Sequence, residues 1–319
     1  MRVLLTGSSG WLGRHLAPLL EAKGHTVVGL DVAPGAATSV IGSVADRALV
    51  FRTVAEHGIE AIVHSGALHK PDIVRFPRQA FVDVNVTGTL NLLEAAVEAG
   101  HARFLFTSTT SLMVRDDVRA GAGEAGAWWM DEHFGPIAPR NVYGVTKRAG
   151  EDMCRLIARE SGMVVAILRT GRFFPEDDDT HAIPSGPNLK ANEFLNRRLT
   201  VGDAALAHLA ALERAEGCET FVLSAPPPFT RADAVELAVD APAVIARYFP
   251  DAAELYARAG WVLPERIERV YDPAKAERLL GWRARTDFAA ILAALRDGAE
   301  MPFAHDPDWI SPVLGDATA

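Results

Sequence analysis

Three glycines near the start of the chain constrain its fold more than any other feature. Residues 6–13 read Thr-Gly-Ser-Ser-Gly-Trp-Leu-Gly, and they lie between the apolar run Val3–Thr6 and a segment with helical periodicity, Trp11–Lys23. Such glycines permit a tight turn, let the backbone approach a pyrophosphate, and let the helix pack closely on the strand. The start of the helix then offers free N–H groups and a positive dipole end. A plain glycine turn is the alternative, but the strand–loop–helix context favours a dinucleotide-binding loop.

Asp31 follows the second predicted strand, Thr26–Leu30, and bears on the choice of dinucleotide. A carboxylate at this position accepts hydrogen bonds from the adenosine ribose hydroxyls and repels a 2′-phosphate. No arginine follows it closely, since the next residues are Val32, Ala33 and Pro34. The sequence therefore favours NAD over NADP, although Asp31 taken without the glycines fits a turn residue at a strand end equally well.

Short β-rich runs alternate with longer helical patterns through the first half of the chain. The further predicted strands are Ile62–His64, Phe104–Thr107 and Val164–Leu168, and the predicted helices are Ala80–Ala99 and Tyr143–Glu160. This alternation implies βαβ units, and strands that are nearly all apolar are typical of a parallel sheet covered on both faces. We therefore predict an α/β fold with a doubly wound parallel sheet of the Rossmann type.

The regular alternation ends near Arg172. An acidic run, Asp177–Asp179, and several prolines make the next stretch irregular before helical patterns return at Ala204–Arg214, Arg231–Arg247 and Ala252–Ala259. We predict a Rossmann domain over residues 1–172 and a smaller, mostly helical substrate-binding lobe over residues 173–319, some segments of which return to the first domain. The tail from 301 to 319 has little pattern, so it either wraps the surface or is loose.

Composition excludes several classes of partner. Hydrophobic residues make up 49% of the 319 positions, which is enough for a large core, and 41 Asp+Glu outnumber 32 Lys+Arg. This acidic balance, with no basic run, argues against nucleic acid. No apolar stretch is long enough to span a bilayer, and the opening run is too short for a signal peptide, so we expect a cytoplasmic protein. Cys154 and Cys218 share no ligand spacing, and we expect free thiols and no metal site.

Tyr143 and Lys147 stand four residues apart in a helical pattern, so they share a helix face. A tyrosine ordinarily ionises near pH 10, too high for a base at neutral pH. A nearby ammonium, together with an oxidised nicotinamide, lowers the pKa of a phenol. Tyr143 is then able to take a proton from a substrate hydroxyl as hydride leaves, or to donate one in reverse. A solvated helix face is the alternative interpretation of this pair taken alone.

A run of hydroxyl residues, 107–111, follows the strand Phe104–Phe106. The end of a parallel strand lies at the carboxyl edge of the sheet, where ligands bind in open α/β folds. A hydroxyl there can hydrogen-bond both a substrate oxygen and the tyrosine. A hydroxyl-rich strand end without a catalytic role is the alternative for any single residue of the run.

Several motifs along the chain carry a resemblance to one family. They are TGSSGWLG at 6–13, Asp31, HSGA at 64–67, Asn85 within NVTGT, TSTTS at 107–111, YGVTK at 143–147 and DPAKAERLLGW at 272–282. With these motifs the chain resembles the extended short-chain dehydrogenase/reductases, and among them the NAD-dependent epimerase/dehydratase family. The resemblance covers nearly the whole chain, thins between about 172 and 200, and does not identify a substrate.

The resemblance implies roles for the matching positions. Thr109 corresponds to the catalytic Ser/Thr, Tyr143 to the acid/base and Lys147 to the ribose-binding lysine that tunes it. With the glycine loop and Asp31, the cofactor-binding residues are expected to be Gly7, Ser9, Gly10, Trp11, Leu12, Gly13, Asp31, Gly42, Ser43, Val44, Ser65, Gly66, Ala67, Asn85, Thr107, Tyr143, Lys147 and Arg172. The family often forms dimers through a bundle that contains the catalytic helix, so a homodimer is expected by analogy.

Three departures from the family pattern narrow the function. Sugar dehydratases of this family carry Asp-Glu after the catalytic threonine, whereas this chain has Thr110 and Ser111, which disfavours water elimination. Ser43 stands where a carboxylate near the adenine is usual. The segment 171–175 lacks the asparagine that often contacts a sugar diphosphate, which puts a nucleotide-sugar substrate in doubt.

Candidate substrate contacts lie near the cofactor loop, in the hydroxyl run and in the divergent stretch. Asn192 and Arg198 suit a phosphate or a carboxylate, with solvated surface charge as the alternative. Phe173 either lines the pocket or packs in the core. The full set of predicted substrate-contacting residues is His69, Thr109, Ser111, Phe173, Asn192 and Arg198.

Three functions fit these residues. The first is NAD-dependent hydride transfer at a hydroxyl of a sugar or nucleotide sugar, as in an epimerase that returns the hydride to its substrate. The second is a net dehydrogenase or reductase of a small sugar-like alcohol or carbonyl, which uses the same tyrosine, lysine and threonine. The third is a non-catalytic dinucleotide sensor. Sensors of this kind commonly lose the tyrosine or the lysine, and both are present here.

Overall fold

A parallel sheet forms the centre of the molecule. The computed structural model describes residues 1–177 and 186–312. In them the strands are β1 (Arg2–Thr6), β2 (Thr26–Asp31), β3 (Thr38–Ile41), β4 (Ala61–His64), β5 (Arg103–Thr109), β6 (Trp128–Met130), β7 (Val164–Thr170), β8 (Cys218–Leu223) and β9 (Arg269–Tyr271). Seven of these described strands form one sheet in the order β3-β2-β1-β4-β5-β7-β8, while β6 and β9 form a separate pair. All the pairings are parallel.

Helices cover both faces of the central sheet. The α-helices of the described residues are α1 (Gly13–Ala22), α2 (Arg47–Glu56), α3 (Arg78–Phe81), α4 (Gly88–Glu98), α5 (Asp116–Ala120), α6 (Val142–Ser161), α7 (Gly186–Glu193), α8 (Val201–Arg214), α9 (Ala234–Leu237), α10 (Ala241–Tyr248), α11 (Ala252–Arg258), α12 (Ala274–Leu280) and α13 (Phe288–Asp297). Helices α2, α4 and α6 pack on one face, and α1 and α8 pack on the other. No helix of the described residues is both long and apolar enough to cross a membrane.

The alternation of side chains along each strand produces two apolar cores. In β1, Val3 and Leu5 point to the core that contains α1 and α8, whereas Leu4 points to the core that contains α2, α4 and α6. All three are fully buried. Because both faces bury side chains, the strands have to be apolar at every position rather than at every second one. The predicted doubly wound α/β fold is therefore confirmed.

The second half of the chain divides between the sheet and a smaller lobe. Strand β8 pairs with β7, and α8 packs on α1, so residues beyond 172 complete the central sheet. The lobe contains α9 to α13 and the β6–β9 pair, which joins two segments about 140 residues apart. Sequence patterns had no local signal for this pairing, because each strand has three residues.

Two predicted helices are interrupted. The segment predicted as Ala80–Ala99 consists of α3, a π-helical turn at Val82–Thr87, and α4. The segment predicted as Arg231–Arg247 breaks before α10, where Asp240 caps the helix and a proline occupies its first turn. Proline favours that position because it has no N–H to satisfy there. Because the apolar periodicity of the sequence continues across both breaks, the pattern predicted one continuous helix in each case.

The C-terminal segment packs against the carboxyl edge of the sheet. Phe303 stacks on Phe194 with ring centroids 5.6 Å apart, and the N–H of Asp306 donates to the carbonyl of Pro175 at 3.0 Å. Residues 303–312 are called the strap below. The remaining tail residues, and the predicted irregular loop at 178–185, lie outside the described residues.

Candidate active site

A cleft opens at the carboxyl edge of the sheet, at the point between β1 and β4 where the strand order reverses. Ligands of open α/β sheets bind at such a point. The cleft brings together most of the predicted site residues, namely Gly7, Gly10, Trp11, Leu12, Gly13, Asp31, Gly42, Ser43, Val44, Ser65, Gly66, Ala67, His69, Thr107, Tyr143, Lys147 and Phe173. Several other described lining residues were not predicted from the sequence, among them Thr170, Trp309, Ser311 and Pro312.

The glycines of the first loop hold the backbone too close for any side chain. Gly7 has a φ of +71°, and its N–H donates to the carbonyl of Leu30 at 2.9 Å. A Cβ on Gly7 would lie 2.7 Å from the nitrogen of Gly66, and one on Gly13 would lie 2.1 Å from the Gly7 oxygen. No side chain caps the start of α1. The N–H groups of Arg14 and His15 donate to the carbonyls of Gly10 and Leu12, so the backbone N–H groups just before them form the cradle suited to a pyrophosphate.

The loop itself orients the carboxylate of Asp31. The N–H of Ser9 donates to one carboxylate oxygen at 2.9 Å, and the N–H of Ala33 donates to the other at 3.1 Å. The hydroxyl of Ser9 donates to the carbonyl of Ala33 at 2.7 Å. Each carboxylate oxygen keeps a further lone pair for a ribose hydroxyl at the cleft wall. Ser9 therefore lies outside the cleft lining, and its role is to position the carboxylate of Asp31.

Buried polar groups fix the loop after β4. Thr6 Oγ1 lies 2.7 Å from Nδ1 of His64 and accepts the N–H of Gly66 at 3.0 Å. The side-chain amide of Asn85 pairs with both backbone groups of Leu68 at 2.9 Å. Asn85 therefore lies outside the lining and supports the loop from behind, which agrees with the structural role that the resemblance implies. Thr6 and His64 were missed because they have the pattern of ordinary strand residues.

Lys147 projects from α6 beneath the cleft. Its Nζ donates to the carbonyl of Thr107 at 2.7 Å and lies 4.7 Å from the ring centroid of Phe106. Burial lowers the pKa of Lys147 to about 7, against the opposing charge of Glu151. The ammonium thus lies in an apolar setting with one carbonyl partner, and it has two further protons for hydroxyls of a bound ribose.

Tyr143 lies one helical turn before Lys147 and also lines the cleft. Burial raises the pKa of Tyr143 to about 12, the hydrogen bond with Thr109 partly lowers it, and the charge of Asp72 raises it. The sequence analysis expected a lowered pKa, and the protein's own groups have the opposite effect. For the phenol to ionise at neutral pH, its pKa therefore has to be lowered by the positive charge of an oxidised nicotinamide in addition to that of Lys147.

Thr109 and Ser111 lie beside the cleft lining. The hydroxyl of Thr109 accepts the N–H of Ser111 at 3.1 Å, at the point where β5 ends. This bond orients Thr109, whose hydroxyl also contacts Tyr143. Thr109 therefore occupies the position predicted for a catalytic hydroxyl, whereas Ser111 contributes its backbone to that arrangement.

A buried carboxylate, Glu151, supports helix α6 from below and was not predicted from the sequence. It accepts the hydroxyl of Ser108 at 2.7 Å, two N–H groups of Arg169 at 2.7 and 2.9 Å, and one of Arg155 at 2.7 Å. Burial opposes ionisation, but Arg169 outweighs it and the pKa of Glu151 is lowered. Glu151 thereby ties α6 to the ends of β5 and β7, one turn beyond Lys147.

The carboxylate of Glu193, in α7, forms an ion pair with Arg198, which was predicted to bind substrate. Glu193 lies 2.8 Å from Arg198, 2.9 Å from Arg197 and 3.3 Å from Arg172. Burial opposes the charge on Glu193, but these three arginines outweigh it and lower its pKa to about 2. A second amino group of Arg198 donates to the carbonyl of Phe174 at 2.5 Å.

Asn192 and Arg198 therefore do not agree with the prediction that they contact substrate. Asn192 is buried, and its amide donates to the carbonyl of Val262 at 3.0 Å. Arg198 is 2% exposed and is committed to Glu193 and a backbone carbonyl. Both side chains hold α7 in place, outside the described cleft lining. Arg172 also lies beside the lining rather than in it.

Known sequences similar to this chain include members of one family of NAD-dependent enzymes. The model of the family described as "NAD dependent epimerase/dehydratase family" matches residues 3–223. A UDP-glucose 4-epimerase from Rhizobium meliloti (strain 1021) is 29% identical over 91% of this chain and 94% of its own length. A dTDP-4-dehydrorhamnose reductase from Streptomyces griseus is 34% identical over 51% of this chain and 48% of its own. In that second case the chain spans about half the length of the relative.

Solved structures share the fold. A short-chain dehydrogenase/reductase superfamily protein from Agrobacterium tumefaciens with bound NAD is 24% identical, with a TM-score of 0.66 over 93% of this chain and 98% of the other. A UDP-glucose 4-epimerase from Thermus thermophilus in complex with NAD is 23% identical, with a TM-score of 0.62 over 93% and 99%. At these identities the likeness establishes a common architecture.

Proposed function

The chain belongs to the NAD dependent epimerase/dehydratase family, and on that premise we propose that it is an NAD-dependent enzyme that transfers hydride at a hydroxyl-bearing carbon of a sugar or sugar-like substrate. The observation that carries the proposal is one cleft that contains the glycine cradle, Asp31, Tyr143 and Lys147. A homodimer, which the resemblance implies, stays a prediction.

The described residues fit a dinucleotide from end to end. Gly7 and Gly13 form a cradle that a Cβ would fill, and backbone N–H groups there suit a pyrophosphate. The carboxylate of Asp31 suits the adenosine ribose and disfavours a 2′-phosphate. Lys147 has free donors for the other ribose. When bound, NAD supplies the hydride acceptor, and the protein supplies binding and orientation.

The chain's own residues handle the proton. The hydroxyl of Tyr143 takes a proton from the substrate hydroxyl during oxidation and returns it during reduction. Thr109 donates a hydrogen bond that stabilises the phenolate. Lys147 stabilises the same phenolate by its charge, while the carbonyl of Thr107 fixes the position of its Nζ. The hydrogen bond from Ser108 to Glu151 fixes this face of α6 against the end of β5.

Two reaction outcomes share this machinery. In an epimerase, the ketone formed by oxidation turns over in the cleft and is reduced from its other face. In a dehydrogenase, the oxidised product leaves. Relatives of both kinds exist, since a UDP-glucose 4-epimerase from Rhizobium meliloti and a uronate dehydrogenase from Pseudomonas syringae match this chain at 29% and 28% identity. Accumulation of reduced nicotinamide distinguishes a dehydrogenase from an epimerase.

Tyr143→Phe tests the proposal directly. It removes only the hydroxyl that moves the proton, so we expect turnover to fall by about 10³-fold or more while the NAD dissociation constant changes less than about threefold. Turnover is measured by the absorbance of reduced nicotinamide or by inversion at one carbon, and calorimetric titration measures NAD binding.

Tyr248→Phe is the matched control, because its hydroxyl bonds to Asp233 outside the described cleft lining. It should keep full turnover. Wild-type activity in Tyr143→Phe, or failure of the wild-type protein to bind NAD, would contradict the proposal.

A further inference from the structure

The substrate side of the cleft has an aromatic wall. The ring of Phe174 stacks on Phe173 at 4.6 Å and on His69 at 4.8 Å, and Trp309 of the strap lies 5.9 Å from it. Trp309 also meets the ring of Trp11 at 5.7 Å. All five line the cleft. Flat apolar faces of this kind suit the C–H face of a ring-shaped polyol, because aromatic rings carry negative charge on their faces and C–H groups are weakly positive.

Three buried polar atoms next to this wall have no hydrogen-bond partner among the described residues. They are Nε2 of His69, Oδ1 of Asp72 and Oε2 of Glu176, all buried. Nδ1 of His69 lies 2.8 Å from Oδ2 of Asp72, which also accepts the His69 N–H at 2.7 Å. Because a carboxylate only accepts, Nδ1 donates to Asp72, and in the tautomer with this single ring proton Nε2 is left as an acceptor. Buried polar atoms normally find partners, and a ligand with several hydroxyls supplies them.

Positive charge is scarce among the described lining residues, although Arg14 lies outside them, 4.3 Å over the ring of Trp11. Lys147 is the one lysine or arginine among the described lining residues, and the proposed function assigns it to the cofactor ribose. Arg198 and Arg197 are held by Glu193. Lys190 donates to the carbonyl of Pro175 and lies 2.9 Å from His305 of the strap. The stretches 178–185 and 313–319 contain no lysine or arginine in the sequence.

We propose that the substrate is a small polyhydroxylated ring compound that carries no phosphate, and that it stacks on the aromatic wall and donates a hydroxyl to Nε2 of His69. The inference rests on the proposed hydride-transfer function and narrows it. Trp309 packs against both Trp11 and Phe174, which fixes the strap to this wall. Apart from Lys147, the described lining residues offer no lysine or arginine to a diphosphate.

UDP alone is the first probe, added to the NAD-loaded protein in a calorimeter. We expect no binding tighter than about 1 mM. A dissociation constant in the micromolar range would overturn the inference, whatever the turnover assays give.

Turnover is the second probe, with free glucose, galactose and glucuronate set against UDP-glucose. We expect reduced nicotinamide, or inversion at one carbon, with a free sugar and none with UDP-glucose. Preferred turnover of UDP-glucose overturns this inference while supporting the proposed function. Turnover that survives Tyr143→Phe overturns the proposed function instead, so the two failures are distinguishable.

His69→Leu tests the specific contact. It removes Nε2, and we expect KM for the free sugar to rise at least about tenfold with the NAD dissociation constant unchanged. His133→Leu, an exposed histidine, is the control. An unchanged KM in His69→Leu contradicts the contact.

Asp72→Asn tests the positioning role of Asp72 without removing the imidazole. The carboxamide can donate to Nδ1, which converts Nε2 from an acceptor to a donor, so KM should rise here too. Added to His69→Leu, it should have no further effect on KM. Independent, additive effects of the two substitutions would mean that Asp72 supports only the fold, and would contradict the proposal.

Discussion

At the scale of single residues, burial of the Lys147 ammonium lowers the stability of the fold, and the proposed cofactor-binding role of Lys147 explains why the residue is there. Burial lowers its pKa to about 7 from an ordinary value of 10.5. The unfolded chain therefore binds this proton more tightly than the folded chain does. The resulting penalty on folding is complete below about pH 7 and fades as pH rises towards 10.5. A shift of this size at a buried site represents on the order of a few kcal/mol.

Lys147→Met should therefore stabilise the cofactor-free protein. At pH 6 we expect the free energy of unfolding to rise by about 1–3 kcal/mol, less than the full penalty, because the carbonyl of Thr107 loses its donor. At pH 10 the gain should disappear, while NAD binding is weakened at both values. Denaturant unfolding measures the stability, with the exposed Lys23→Met as control. A loss of stability at pH 6 would contradict the assigned burial cost.

Residue identities in the site were more predictable than residue environments. Tyr143, Lys147 and Asp31 could be recognised from type and spacing, and all three line the cleft. The raised pKa of Tyr143 could not be predicted, because it depends on burial and on Asp72, a distant residue in sequence. Arg198 was misread for the same reason, since its partner Glu193 was invisible in the local pattern.

At the scale of elements, the glycine loop and the start of α1 act as one unit. A Cβ at Gly13 would lie 2.1 Å from the oxygen of Gly7 and 2.7 Å from Cα of Ser8, both backbone atoms that cannot rotate away. The helix would have to move off the loop, which would separate the N–H groups that form the pyrophosphate cradle. Substitution there affects the fold and the cofactor site together.

Gly13→Ala should therefore lower the free energy of unfolding by more than about 2 kcal/mol and weaken NAD binding at least about tenfold. Gly202→Ala is the matched control in the first turn of α8, where the nearest atom to the new Cβ is 3.8 Å away. That control should be neutral or slightly stabilising, as alanine generally is relative to glycine in a helix. Thermal unfolding and NAD titration measure both variants, and equal behaviour of the two would refute the close-packing account.

The predicted boundaries of helices and strands agree with the structure where the apolar periodicity of the sequence is that of the element which forms. Helix α6 and strands β1, β2, β4, β5 and β7 lie within a few residues of their predicted ranges. The π-helical turn at Val82–Thr87 was hidden because the apolar residues on either side stay in phase. A π-helical turn differs from an α-helical turn by one extra residue, and the local sequence carries little information about that difference.

At the scale of the whole molecule, long-range pairing was the part that sequence reasoning could not supply. The parallel order of the first strands follows from βαβ connections, whose handedness and spacing are restricted. We expected some segments beyond residue 172 to return to the first domain, but the sequence did not identify β8 as one of them. The β6–β9 pair and the strap likewise depend on contacts between distant segments. Of these segments the strap lines the cleft, which explains why that side of the cleft was predicted less well than the glycine loop.

The central claim is that one cleft holds the dinucleotide with its reactive ring against Tyr143. A crystal structure of the protein grown with saturating NAD tests this claim most directly. The account predicts the pyrophosphate on the loop from Gly7 to Gly13, the adenosine ribose on Asp31, and the nicotinamide within hydrogen-transfer reach of a substrate oxygen bound to the Tyr143 hydroxyl. An empty cleft, or a nicotinamide turned away from that hydroxyl, would contradict it.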